Sequence, residues 1–130
     1  MKCCVPLILA ILLSTLIPGC SEQPDHAESD AMLIEVLGFE GCPNTPLFVE
    51  RVEAAAQAVG GFELLYIDQE SLADDDLRRG YPTPTALLGG RDIFGMPVPK
   101  SPEMGCRLYQ GGLPTTEVIA GRLKEMLGSD

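Results

Sequence analysis

Residues 32–67 limit what this chain can fold into more than any other stretch, because they read as strand, helix and strand with only short links between them. Met32-Leu33-Ile34-Glu35-Val36-Leu37 is a short apolar run with β-branched content, the pattern of a central strand buried on both faces. Phe48, Val52, Ala55, Ala56 and Val59 then recur at helical spacing, with Glu50, Arg51 and Glu53 on the other side, and Gly60-Gly61 ends the helix. Phe62 to Ile67 is a second strand. Two strands joined this closely through one helix run parallel, with a right-handed crossover, and commit the chain to an α/β domain.

The link between the first strand and the helix carries the chemistry. It reads Phe39-Glu40-Gly41-Cys42-Pro43-Asn44-Thr45-Pro46. Thr45 suits an N-cap and Pro46 the first helical position, where a missing N–H costs nothing. Cys42 then lies at a helix N-terminus, where backbone N–H groups and the helix dipole favour thiolate over thiol and make a nucleophile near neutral pH. The competing reading is a buried, inert cysteine beside a helix start.

Further along, Asp68-Gln69-Glu70 leads into a short helix capped by Ser71 with Asp74. Asp74 to Asp76 answer its positive end and Arg78-Arg79 its negative end, a stabilising arrangement rather than a catalytic one. A third strand follows in Gly80-Tyr81-Pro82-Thr83-Pro84-Thr85-Ala86-Leu87-Leu88. Pro84 as its first residue spares the ladder, whereas a strand opened at Pro82 would hold Pro84 inside it and lose a hydrogen bond. Gly89-Gly90-Arg91-Asp92 is a tight turn, and Met96 to Gly105, with three prolines and no periodicity, is a loop. Cys106-Arg107-Leu108-Tyr109 is short and strand-like. A last helix starts near Thr115, sets Ile119, Leu123, Met126 and Leu127 on one face, and stops at Gly128.

The N-terminus belongs to targeting rather than to the fold. Lys2 precedes an apolar run of 13 residues, Val5 to Ile17, too short for a span of roughly 20. Ile17-Pro18-Gly19-Cys20 follows and resembles the lipobox of bacterial lipoproteins, with Pro18 as a departure. That resemblance implies a signal peptide over 1–19, lipid on Cys20, and an anchor in the bacterial envelope. The non-Asp residue after Cys20 points to the outer membrane, facing the periplasm. An ordinary secretory signal is the alternative. Residues 20–31, acidic and nearly without apolar side chains, read as a tether, and 32–130 as the folded domain. Removing 1–19 leaves eight basic against nineteen acidic residues, a formal charge of −11. No basic cluster offsets it, so nucleic acid is not an expected partner.

Signal removal also settles the cysteine arithmetic. Cys3 and Cys4 leave, Cys20 takes lipid, and Cys42 and Cys106 remain as the protein thiols. No Cys or His spacing reads as a zinc site, and no metal or cofactor is expected. His26, the only histidine, lies in the tether, which argues against a Cys–His dyad.

Cys42-Pro43-Asn44-Thr45 resembles the Cys-Pro-x-Cys turn of glutaredoxins and the active-site turn of thioredoxins, with Thr45 in place of the second cysteine. The element order adds to this, as do Ile67-Asp68-Gln69 and the Arg79-Gly80 run. The resemblance is to the thioredoxin-like fold over Met32 to Leu127, implying a central mixed four-stranded sheet flanked by helices, with an insertion before the last strand or helix. It departs in three ways: no tryptophan precedes Cys42, no resolving cysteine stands at 45, and Met96–Gly105 is extra. The family's cis-proline, beside the reactive cysteine, falls on Pro84 by its spacing from Gly90, with Pro82 as the alternative. Thr83-Pro84 would then hold the substrate backbone.

What the resemblance implies is a thiol–disulfide oxidoreductase acting on a protein or low-molecular-weight disulfide. Cys42 attacks as thiolate, the Thr45 hydroxyl donates to its sulfur, and Cys106 or an external thiol releases the product. The alternative class is a non-enzymatic module that binds a partner or a soft metal through Cys42. Cys106 has two possible places. If Cys106–Tyr109 is the fourth strand, Cys106 lies roughly 10–13 Å from the active site, beyond disulfide reach. If Arg91–Phe94 is that strand, the proline-rich loop covers the site and Cys106 approaches Cys42. The direct link to the last helix favours the first, and two thiols in an oxidising compartment favour the second.

Overall fold

The structure, a computed structural model, describes residues 31–129. The signal peptide, Cys20, His26 and the tether up to residue 30 lie outside the described residues. The domain is a mixed α/β unit with a four-stranded sheet and two α-helices. No helix among the described residues is long and apolar enough to cross a membrane.

Strand β1 (Met32–Gly38) is central, and α1 (Thr45–Val59) carries the chain over to β2 (Phe62–Asp68), which pairs parallel to β1 along its whole length. On the other side of β1 lies β3 (Thr85–Leu88), antiparallel, followed by β4 (Arg91–Asp92), giving the order β2-β1-β3-β4. Gly89 and Gly90 join β3 to β4 at φ 57° and 76°. A two-residue hairpin loop takes positive φ at both positions to match the strand twist, and glycine adopts it without a Cβ clash.

Both helices cover one face of the sheet. Ile34 and Val36 from β1, with Ala86 and Leu88 from β3, meet Phe48, Val52, Ala55 and Ala56 of α1 and Ile119 and Leu123 of α2 (Thr116–Leu127). The alternation along β1 sends Leu37 to the opposite face, where it packs with Leu87 and Tyr81. Only the end of β1 nearest Cys42 is therefore covered on both sides. Leu33, on that second face, is 45% exposed, which corrects the expectation of a strand buried throughout.

The expected helix after β2 is replaced by two 3-10 turns, Gln69–Ser71 and Leu77–Gly80. Asp68 and Asp76 cap them, their carboxylates accepting from the N–H groups of Glu70 and Arg78 at 3.0 and 2.9 Å. Ser71, expected as a cap, instead donates its hydroxyl to the Asp68 carbonyl. Aspartate side chains that bond the backbone two residues on compete with a continuous helix, and consecutive Asp74-Asp75-Asp76 adds no helix propensity. Fully buried Gln69 ties the two turns together, its amide donating to the carbonyls of Arg78, Arg79 and Tyr81.

The fourth strand is Arg91–Asp92, so Cys106–Tyr109 is not a sheet strand and Leu108 stands 92% exposed. After β4 the chain turns at Gly95 and runs as a loop to α2, passing so close to Gly80 that a Cβ there would collide with Ser101 and Pro99. Thr115 caps α2, its hydroxyl accepting from the Val118 N–H. Arg51 of α1 donates to the carbonyls of Leu113 and Pro114 at 2.9 Å each, holding the two helices in register.

Candidate active site

Gly38 sets the approach of β1 to the first turn of α1: a Cβ would collide with the Thr45 methyl and crowd the Tyr66 ring. The intervening turn closes through Cys42 N–H to the Phe39 carbonyl (3.1 Å) and Thr45 N–H to the Cys42 carbonyl (3.3 Å). Helix α1 begins one residue earlier than the sequence suggests. Asn44 takes the N-cap place with helical φ and ψ and no side-chain cap, and Thr45 is the first helical residue. Thr45 is not a cap because its side chain turns inward: it is buried and its hydroxyl makes no hydrogen bond, though it lies beside Cys42 and favours the thiolate there.

Cys42 is only 2% exposed, and its Sγ donates to the Thr83 carbonyl at 3.1 Å. The Thr83–Pro84 peptide bond is cis, the only such bond among the described residues, while Pro82 follows a trans bond. Thr83 lies beside Cys106 in a parallel bridge: its N–H donates to Gly105 O at 2.8 Å and its carbonyl accepts from Arg107 N–H at 2.7 Å. This short pairing brings the exposed Cys106 to the reactive turn, where its thiol bears on Cys42; both thiols are free. Cys42, Thr45, Thr83, Pro84 and Cys106 thus form one cluster.

The two sulfurs differ. Burial pushes the Cys42 thiol up, and the hydrogen bond to the Thr83 carbonyl also favours the protonated form. Against this, the Cys106 thiol, the Thr45 hydroxyl, the Asn44 backbone N–H and the Thr83 hydroxyl all favour the thiolate, and together they bring Cys42 below its ordinary value. Cys106 moves the other way, above its ordinary value, chiefly because its proton is shared with Cys42. One sulfur is thereby the readier nucleophile and the other the proton-bearing partner.

Three supports were not visible in the sequence. Arg107 is nearly buried, donating to Asp92 Oδ2 at 3.0 Å and to Thr85 Oγ1 at 3.1 Å while lying 4.3 Å from the Tyr109 ring centroid. The Tyr109 hydroxyl donates to the Pro84 carbonyl at 2.8 Å, and burial raises its pKa. Tyr66 borders a cleft of about 330 Å³ that opens onto Cys42 and is otherwise lined by Phe39, Glu40, Thr45, Pro46 and Val49. None of the three left a local signal, because each acts through a contact between positions distant in sequence. Comparison of the chain with protein-family models, curated proteins and solved structures gives no match.

Proposed function

We propose that this chain is a thioredoxin-like thiol–disulfide oxidoreductase whose reacting pair is Cys42 and Cys106. The observation that supports it best is the pairing of Gly105–Arg107 with Thr83, which sets a second thiol against a recessed cysteine whose pKa lies below its ordinary value. The element order and the turn between β1 and α1 agree with the fold assignment.

The steps balance as two exchanges. The Cys42 thiolate attacks one sulfur of a substrate disulfide, forming a mixed disulfide and expelling the other half as a thiolate, which takes up a proton. Cys106, once deprotonated, attacks the Cys42 sulfur and releases the second half as a thiol. The substrate gains two electrons and the protein becomes a Cys42–Cys106 disulfide, which an external dithiol restores. The Thr45 hydroxyl supports the attacking sulfur. With lipid on Cys20, the reaction would belong to the bacterial envelope.

Counting free thiols in protein with Cys20 replaced tests the pair. Mild oxidant should remove two thiols within one monomer, and either Cys42→Ser or Cys106→Ser should abolish that loss; two persistent thiols would oppose the pair. Turnover of a small disulfide should vanish in Cys42→Ser. The same two thiols also favour a second reading, a non-enzymatic module holding a soft metal ion, because thiolates prefer such ions. Equal turnover by wild type and Cys42→Ser, with a soft ion bound only by the wild type, would favour it. Metabolic lipid labelling should mark Cys20, and label lost in Cys20→Ala with release of the protein would fit the anchor.

A further inference from the structure

Resting on the redox reading above, we infer that the site is built for low-molecular-weight disulfides, because Gly105–Arg107 already occupies the place where an extended polypeptide would pair beside Cys42. A protein disulfide brings backbone with it, and backbone binds at a sheet margin by exchanging N–H and C=O bonds with an unpaired residue. Thr83 is the residue next to the reactive sulfur, and it is fully buried. Its N–H is held by the Gly105 carbonyl at 2.8 Å and its carbonyl by the Arg107 N–H at 2.7 Å, with the Cys42 thiol as a further donor. Neither group is left for an incoming chain. Nor is the occupying segment loosely placed: the Arg107 guanidinium is fixed on Asp92 and Thr85, and the Tyr109 hydroxyl on the Pro84 carbonyl.

What remains open is the other side of Cys42. There Cys42 lines a cleft of about 330 Å³ together with Phe39, Thr45, Pro46 and Tyr66, and none of Thr83, Gly105, Cys106 or Arg107 borders it. That volume falls at the small end of the range for small-molecule sites. The segment therefore has two roles in one strand-like stretch: it supplies the second thiol through Cys106 and closes the peptide-binding margin through its neighbours Gly105 and Arg107.

The test uses the reduced domain with Cys20 replaced and two neutral probes, 2-hydroxyethyl disulfide and a disulfide-linked peptide dimer. Each oxidation rate is normalised to the same probe's rate with free dithiothreitol. Displacing two backbone hydrogen bonds of ordinary strength corresponds to roughly tenfold, so the small disulfide should react at least about tenfold faster than the peptide. In Cys106→Ser, trapped at Cys42 as the mixed disulfide with 2-mercaptoethanol, the Thr83 and Arg107 amides should keep their hydrogen-exchange protection. Equal or faster reaction of the peptide, with protection lost at both amides, overturns the inference and leaves the redox reading standing. If neither probe reacts, the redox reading fails and this inference falls with it.

Discussion

Cys42 is a contest between solvent loss and directed donors. Burial disfavours the anion, while the Cys106 thiol, two threonine hydroxyls and the Asn44 N–H favour it, and the donors win. Alkylation of Cys42 against pH should therefore show a midpoint below the ordinary thiol value, and Cys106 a midpoint above it. The sign is fixed by the charged form: a lowered pKa means reactive thiolate persists as pH falls toward neutral. Thr45→Val removes one polar group that favours the thiolate, at nearly constant volume, and should raise the Cys42 midpoint. An unchanged midpoint would reduce Thr45 to a packing role. This residue also shows where sequence reading stopped. Thr45-Pro46 has the composition of a cap, and nothing in the chain order says that Asn44 takes that place while Thr45 is buried beside Cys42.

Among the elements, the buried Arg107–Asp92 pair is a long-range tie. It joins the segment after the proline-rich loop to β4, with the Asp92 side chain fully buried and Arg107 9% exposed. Removing one member of a buried pair strands the other, so Arg107→Met should lower unfolding free energy by roughly 3 kcal/mol or more, measured in urea. Adding Asp92→Asn should recover part of that loss; additive losses would mean the two side chains act separately. Elements with a period and clear punctuation were legible: β1, α1, β2, β3 and α2 all lie where apolar spacing and Gly or Pro put them. Two were not. Strand β4 is two residues long, too short for any period, and the turns after β2 depend on which backbone N–H each aspartate takes. The Tyr109–Pro84 and Arg107–Asp92 contacts join positions far apart in sequence, which no local pattern encodes.

At the scale of the whole domain, the proposed Cys42–Cys106 disulfide sets two effects against each other. The bond closes a loop of roughly 65 residues, and the lost freedom of the unfolded chain would stabilise the oxidised form by about 4 kcal/mol if it formed without strain. The opposing effect comes from the reduced site: a Cys42 pKa below its ordinary value means the native dithiol state gains free energy above that pKa, a gain the disulfide forfeits. Loop closure should win, because the thiolate's gain is offset within the same site by burial and by the Thr83 carbonyl, whereas the unfolded chain has nothing to offset a fixed loop. At roughly 4–8 °C per kcal/mol for a domain of this size, the oxidised domain should melt about 10 °C or more above the reduced one at neutral pH. The gap should widen as pH falls from above the ordinary thiol value through the Cys42 midpoint, where the reduced protein loses its thiolate stabilisation, and level off below it, while the raised Cys106 pKa works the other way over its own range. Calorimetry of both forms across pH measures this directly. An oxidised form that melts lower would mean that the reduced site is the stabilised one, and that this pair acts as an oxidant of thiols rather than a reductant of disulfides.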